Sequence, residues 1–403
     1  MKFGQISTFI AIAFGLSVGS AFAGDAALEA LGQKIFEDPG LSEPAGQSCA
    51  SCHVAKQAFT GNFFSSVPAV AQGSTVDKIG TRNGPTIMYM SFSPAFHFAA
   101  EKNEKGEIEY TPTGGQFWDG RADDLNAQVL GPLTNPVEMS NPNLQAVADK
   151  LAKASYVAEF EQRFGKIEGR PAEKVVADLA RAIAAFERST VFQPFSSKFD
   201  DVLRGTAKFN AQEAHGFALF KDPQKGNCIG CHVGNEKSNK PSQWLFTDFT
   251  YDGLGLPSNT TIPANADQAH YDLGLCQRDK FADIVPKGQD PASFCGQFKV
   301  PTLRNIAATA PYFHNGAIGN LRDAVKFYVT RDTNPELWFS KVADGSVQKF
   351  DDMPQAAQGN VNTAEVPYDR KPGEQPRLND AEIDDLVAFL KTLTDKNVEV
   401  KSP

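Results

Sequence analysis

The stretches CASCH (Cys49 to His53) and CIGCH (Cys228 to His232) set two thiols and an imidazole at one spacing, twice in one chain. Two thiols so spaced can bond the vinyl groups of a porphyrin, and the adjacent histidine can coordinate its iron. A thioredoxin-like dithiol leaves neither histidine explained. A zinc site would also use thiolates, but two copies each ending in Cys-His favour covalently bound heme c. The pattern predicts one heme on Cys49, Cys52 and His53 and a second on Cys228, Cys231 and His232. Of the six cysteines, Cys276 and Cys295 remain. In an oxidising compartment a disulfide is the economical reading for them, with two buried free thiols as the alternative.

The first residues point to such a compartment. MKFGQISTFIAIAFGLSVGSAFAGDA has one lysine, an apolar run and Ala21-Phe22-Ala23, the three regions of a cleavable secretory signal. Residues 1–23 are therefore predicted to be removed, leaving a periplasmic chain from Gly24; an uncleaved anchor is the alternative. The apolar run falls short of the ~20 residues that span a bilayer, so no membrane association is expected after cleavage. A net charge of −9 disfavours nucleic acid, and no basic run is present to attract anionic lipid. The 33 glycines and 25 prolines predict many turns and long irregular loops.

The elements that must position the two motifs repeat along the chain. GQKIFEDP (32–39) precedes the first motif and GFALFKDP (216–223) the second, each read as a helix ended by its proline. Downstream, FWDGRADDLNAQV (117–129) aligns with FHNGAIGNLRDAV (313–325), pairing Trp118 with His314 and Gly120 with Gly316. TRN (81–83) and LRN (303–305) also look related. Each half then closes on an amphipathic helix. In 171–187 the apolar positions are 175, 176, 179, 183 and 186; in 379–393 they are 383, 386, 387, 390 and 393, with Asn379 and Glu382 spaced as a capping box. Strand-like alternation is scarce. The predicted fold is mainly α, two cytochrome c-like heme domains in pseudo-repeat, over 24–190 and 191–403.

The repeat isolates Tyr328, fourteen residues after His314; the same step from Trp118 lands on Pro132. If this position approaches iron opposite the proximal histidine, one half offers a phenolic oxygen and the other a ring without a lone pair. One iron would be six-coordinate and the other open, an asymmetry expected of an enzyme. The plainer reading of Tyr328 is a packed aromatic behind Phe327.

The two motifs, with FWDGRADDLNAQVLGPLTNPVEM and FKVPTLRNIAATAPYFHNG, resemble the bacterial di-heme cytochrome c peroxidases and their relative MauG over nearly all of the chain after residue 23. The resemblance implies that Trp118 lies between the hemes and that Gln128 and Glu138, ten and twenty residues further on, line a peroxide pocket. It places a methionine at the position of Tyr328 in ordinary members and a tyrosine in MauG, so the match is to the MauG branch. An anionic oxygen ligand favours higher oxidation states of iron, whereas methionine raises its potential. The inhibitory histidine of ordinary members has no counterpart between Val54 and Asn83; His97 follows that region, in a stretch that looks inserted, and is read as a loop residue. The resemblance also implies one calcium ion between the hemes, on the Asn83 side chain and the carbonyls of Thr309 and Pro311. Oxygen-only ligation suits that hard cation.

The function so implied is reduction of hydrogen peroxide at the N-terminal heme, coupled to oxidation of a partner protein. Glu138 would move a proton between the peroxide oxygens, Gln128 would hydrogen-bond in the pocket, and Trp118 would relay oxidising equivalents. MauG carries a surface tryptophan two residues before its second motif; here that place is Gly226. This departure argues against maturation of methylamine dehydrogenase as such and leaves another protein substrate open. Trp244 and Trp338 are possible exits but read more readily as structural. The alternatives are a peroxidase fed by a small donor cytochrome and a di-heme electron carrier; a carrier would want both irons six-coordinate, which Pro132 opposes.

Overall fold

A computed structural model describes residues 25–400 except 62–64, 104 and 268. The predicted signal segment, 1–23, lies outside the described residues. The chain is helix-rich. In order come α1 (Ala26–Phe36), α2 (Cys49–Cys52), strands β1 (His97–Lys102) and β2 (Ile108–Thr113), then α3 (Leu125–Thr134), α4 (Leu144–Leu151), α5 (Val157–Phe164) and α6 (Ala172–Glu187). They are followed by α7 (Lys198–Leu203), α8 (Ala211–Lys221), β3 (Tyr251–Asp252), α9 (Phe281–Ile284), β4 (Phe298–Lys299), α10 (Leu321–Thr330) and α11 (Asp380–Lys391). Among the described residues no helix is long and apolar enough to cross a membrane.

Helix α1 packs on α6 and α8 packs on α11, and both pairs close at a glycine. A Cβ on Gly32 would lie 2.0 Å from the Ala182 carbonyl oxygen and 2.9 Å from Phe186 Cβ. A Cβ on Gly216 would lie 2.0 Å from the Asp385 carbonyl oxygen and 2.9 Å from Phe389 Cβ. The glycine that opens each G-x-x-[IL]-F-x-D-P stretch thus lets two helix backbones touch. On α6 the five apolar positions read from the periodicity are all buried, as are those on and just after α11. The capping box forms as spaced: Asn379 Oδ1 accepts from Glu382 N at 3.0 Å, and Glu382 Oε2 accepts from Asn379 N at 2.9 Å.

FWDG and FHNG fold into the same turn. Phe117 and Phe313 take φ of 66° and 68°, Gly120 and Gly316 take 63° and 61°, and bridges join Gln116 to Ala122 and Tyr312 to Ile318. Positive φ at the fourth place explains its glycine.

Phenylalanine supplies much of the packing. One core gathers Phe36, Phe59, Phe160, Phe186 and Phe192 about α1, α4 and α6. A second gathers Phe199, Phe220, Phe246, Phe389 and Trp244 about α8, α10 and α11. Beside it, wholly buried Arg304 pairs with Asp200 at 2.9 Å and donates from Nε to the Trp244 carbonyl at 2.8 Å.

The inserted stretch is a correction to the expectation. His97 begins a strand, not a loop: β1 pairs antiparallel with β2, His97 opposite Thr113. His97 itself is exposed, its Nδ1 2.9 Å from the Ala95 carbonyl. Phe96 and Phe98 anchor this hairpin on Tyr251, Phe281 and Phe294, a contact between distant segments that local alternation does not reveal. Cys276 and Cys295 are bonded to each other in the same region.

Candidate heme sites

Each attachment motif is a tight turn that aims its histidine inward. In the first, α2 carries Cys49 and Cys52, and His53 N donates to the Cys49 carbonyl at 2.8 Å. In the second, a 3-10 turn carries Cys228, and His232 N donates to its carbonyl at 2.8 Å. His53 Nδ1 meets the Phe59 carbonyl at 2.8 Å and His232 Nδ1 meets that of Phe246 at 3.0 Å. A carbonyl accepts, so Nδ1 carries the proton and Nε2 keeps its lone pair free for a metal. Burial lowers both imidazoles, His232 to about 4, which keeps them in the neutral form that a metal would need. The four motif cysteines are unbonded to one another, and burial pushes Cys49 and Cys228 up to about 12.

Both motifs open on one cavity of about 1180 Å³. Every residue predicted for the site reaches its wall: the two Cys-Cys-His sets, Asn83, Trp118, Gln128, Pro132, Glu138, Thr309, Pro311 and Tyr328. Gln128 and Pro132 are one helical turn apart on α3, hence on one face. Glu138 follows that helix, and its Oε1 accepts from Asn135 Nδ2 at 2.7 Å. Burial raises the Glu138 carboxyl while Arg121 opposes the rise. Trp118 is fixed by its Nε1–H, which donates to the Asn83 carbonyl at 2.8 Å.

Tyr328 extends from α10 toward the second motif. Among the described residues its hydroxyl has no hydrogen-bond partner, although the ring is held by Phe313 and Tyr368 at centroid distances of 5.8 and 6.0 Å. Burial, then Cys231 and Asp252, push its phenol well above the ordinary value. Losing that proton requires a cation at the oxygen, as iron would be. Two unbonded thiols and a neutral imidazole with a free lone pair are the donor set a heme c needs, and the Tyr328 phenol shares their cavity wall.

The calcium residues are gathered less decisively. Asn83 Nδ2 lies 2.6 Å from the Pro311 carbonyl oxygen and 3.2 Å from that of Phe313, with Thr309 alongside in the wall. Among the described residues no group of three His, Cys, Asp or Glu could hold a metal ion, so a cation here would rest on neutral oxygens.

Three features escaped the sequence. Glu187, the last residue of α6, lines the cavity, its Oε2 without a partner among the described residues; alignment with Leu390 on α11 was the signal that could have found it. Arg82 bridges Asp119 at 2.6 Å and Asp272 at 2.5 Å on the cavity wall. Lys299 is buried beside them, its Nζ donating to the Gly115 carbonyl at 2.6 Å, and burial lowers it to about 7.

Comparison with known proteins agrees with this geometry. A family profile described as "Di-haem cytochrome c peroxidase" matches residues 26–208. The methylamine utilization protein MauG of Paracoccus denitrificans is 39% identical over 93% of this chain and 90% of its own. The cytochrome c551 peroxidase of Pseudomonas aeruginosa is 33% identical over 73% of this chain and 69% of its own. Among solved structures, the diheme peroxidase BthA from Burkholderia thailandensis superposes with a TM-score of 0.85 at 41% identity, covering 93% of this chain and 88% of that one. The chain therefore belongs to the di-heme cytochrome c peroxidase and MauG family: it is an oxidoreductase that carries two c-type hemes and acts on peroxide.

Proposed function

We propose that this protein is a periplasmic, MauG-like enzyme that reduces hydrogen peroxide in its N-terminal half and draws the electrons from a partner protein through its C-terminal half. The observation that carries the reading is the contrast on the cavity wall. Tyr328, its hydroxyl without a hydrogen-bond partner among the described residues, stands by the second motif, whereas Pro132, whose ring offers no donor or acceptor, stands on the wall with Gln128 and Glu138.

The halves, 24–190 and 191–403, are read as two cytochrome c-like domains in pseudo-repeat. Matched helix pairs closed at Gly32 and Gly216, and matched turns at Gly120 and Gly316, support that reading. Heme c, when bound, supplies the redox chemistry and the place where the peroxide O–O bond breaks. The overall change is one peroxide, two protons and two electrons converted to two waters. Glu138 takes a proton from one peroxide oxygen and returns it to the other, so that water leaves. Burial raises its carboxyl above the ordinary carboxylate value, while Arg121 and the hydrogen bond from Asn135 act the other way and favour the ionised form; a shuttle uses both forms. Gln128 orients peroxide by hydrogen bonding. Trp118, braced on the Asn83 carbonyl, passes oxidising equivalents toward the C-terminal half. Asn83 with the carbonyls of Thr309 and Pro311 is the proposed calcium site.

Addition of peroxide to the fully oxidised two-heme protein tests the assignment. A long-lived change in the optical spectrum without prior reduction is expected, and Tyr328→Met is expected to shorten its life. A reaction that waits for an added electron would instead place the chain with peroxidases fed by a donor cytochrome. Indifference to peroxide would make it an electron carrier.

A further inference from the structure

The C-terminal half presents a second tyrosine behind the first. Tyr368 stacks on Tyr328 with centroids 6.0 Å apart and planes inclined by 29°. Its ring is buried, yet it lies three residues beyond the exposed turn 363–365. Asn227, next to Cys228, donates from Nδ2 to the Val366 carbonyl at 3.3 Å, which seats this segment against the heme-attachment turn.

The surroundings of Tyr368 favour one chemistry. Its hydroxyl donates to Asp252 Oδ2 at 3.2 Å, a carboxylate able to take the proton. The Arg331 guanidinium lies 4.9 Å from the ring centroid and is itself wholly buried. A cation held there opposes positive charge on the ring, so loss of an electron must be accompanied by loss of the proton. Among the described residues the other aromatic against Tyr328 is Phe313, which has no proton to give. Trp338 and Trp244 donate their N–H to the Thr330 hydroxyl and the Ser238 carbonyl, neither of which is a base.

We propose that Tyr368 is the redox-active side chain through which oxidising equivalents leave the C-terminal heme site, with Asp252 as its proton acceptor. The step rests on the peroxide chemistry proposed above, which supplies the oxidant. Tyr368 gives one electron to the oxidised site by way of Tyr328; its O–H bond breaks, and an O–H bond forms on Asp252 Oδ2. A neutral tyrosyl radical results, and an electron from the partner together with the Asp252 proton restores the phenol.

The test is freeze-quench electron paramagnetic resonance of the two-heme protein, made with ring-deuterated tyrosine and mixed with one equivalent of hydrogen peroxide without partner. A signal narrowed by the deuterium is expected in the wild type and is expected to be lost in Tyr368→Phe. Asp252→Asn keeps the phenol and should slow the rise of the signal. A tyrosine signal undiminished in Tyr368→Phe, or rising equally fast in Asp252→Asn, overturns the proposal, as does peroxide consumption by the wild type with no tyrosine signal. Peroxide left unconsumed by the wild type overturns the peroxidase reading and this proposal with it.

Discussion

Glu187 offers a test of the cavity wall that needs no catalytic turnover. It ends α6, is 5% exposed, and has an oxygen with no hydrogen-bond partner among the described residues. Burial raises its carboxyl from 4.5 to about 8, with Arg188 acting against the rise. The folded chain therefore holds a proton that the unfolded chain releases above about pH 4.5, and stability falls as pH climbs through that interval. A raise of that size corresponds to up to ~5 kcal/mol, present below the unfolded value and lost above the folded one. Glu187→Gln keeps the volume and removes the charge, and Glu187→Leu copies the residue found at Leu390. Denaturant unfolding of the two-heme protein at about pH 5 and about pH 9 reads the effect. The variants are expected to match the wild type closely at the lower pH and to exceed it by several kcal/mol at the higher. Parallel pH dependence in wild type and Glu187→Gln would show that the carboxyl ionises without penalty and would refute the reasoning.

Three further outcomes are expected. Glu138→Gln should slow peroxide consumption by ~10²–10⁴-fold, read by stopped-flow decay of peroxide, because general acid–base help of this kind contributes that much. Arg304→Met leaves the Asp200 charge buried without its partner and should cost ~3–5 kcal/mol in unfolding experiments; the double change with Asp200→Leu should recover part of it. Gly216→Ala forces a methyl onto the Asp385 carbonyl oxygen and should destabilise by ~1–3 kcal/mol, with Gly32→Ala costing a similar amount against Ala182.

What could be read from the sequence was what is local. The two Cys-x-x-Cys-His turns, the apolar stripe of α6 and the capping box of α11 are each written within one or two helical turns, and each takes the form its residues dictate. The hairpin at His97 is not legible locally because Phe98 seats it on Phe281 and Phe294, nearly two hundred residues downstream. Tyr368 carries no motif. Its significance comes from a hydrogen bond to Asp252 and a stack on Tyr328, both made by chain folding back over long distances. Arg82 reads as an ordinary surface cation until Asp119 and Asp272 are seen to enclose it.

The most informative signal was comparison of the chain with itself, because it separates scaffold from chemistry. Where the two halves keep the same residue, the reason is geometric: Gly32 and Gly216 admit a helix, and Gly120 and Gly316 complete a turn. Where they differ on the same backbone, the difference alters what a bound heme would meet. Trp118 faces the cavity where the other half has His314, which is stacked on Phe298 at 3.5 Å and lowered by burial to about 4. Pro132 stands where the other half has Tyr328, and Glu187 where it has Leu390. One half thus carries Glu138, the buried Glu187 and the Pro132 ring on the cavity wall; the other carries Tyr328, with Tyr368 stacked behind it. A pure electron carrier would be served by two similar halves. Divergence on the cavity wall, beside helix pairs and turns that both halves share, is what division of labour between a reacting site and an electron-transfer site would require.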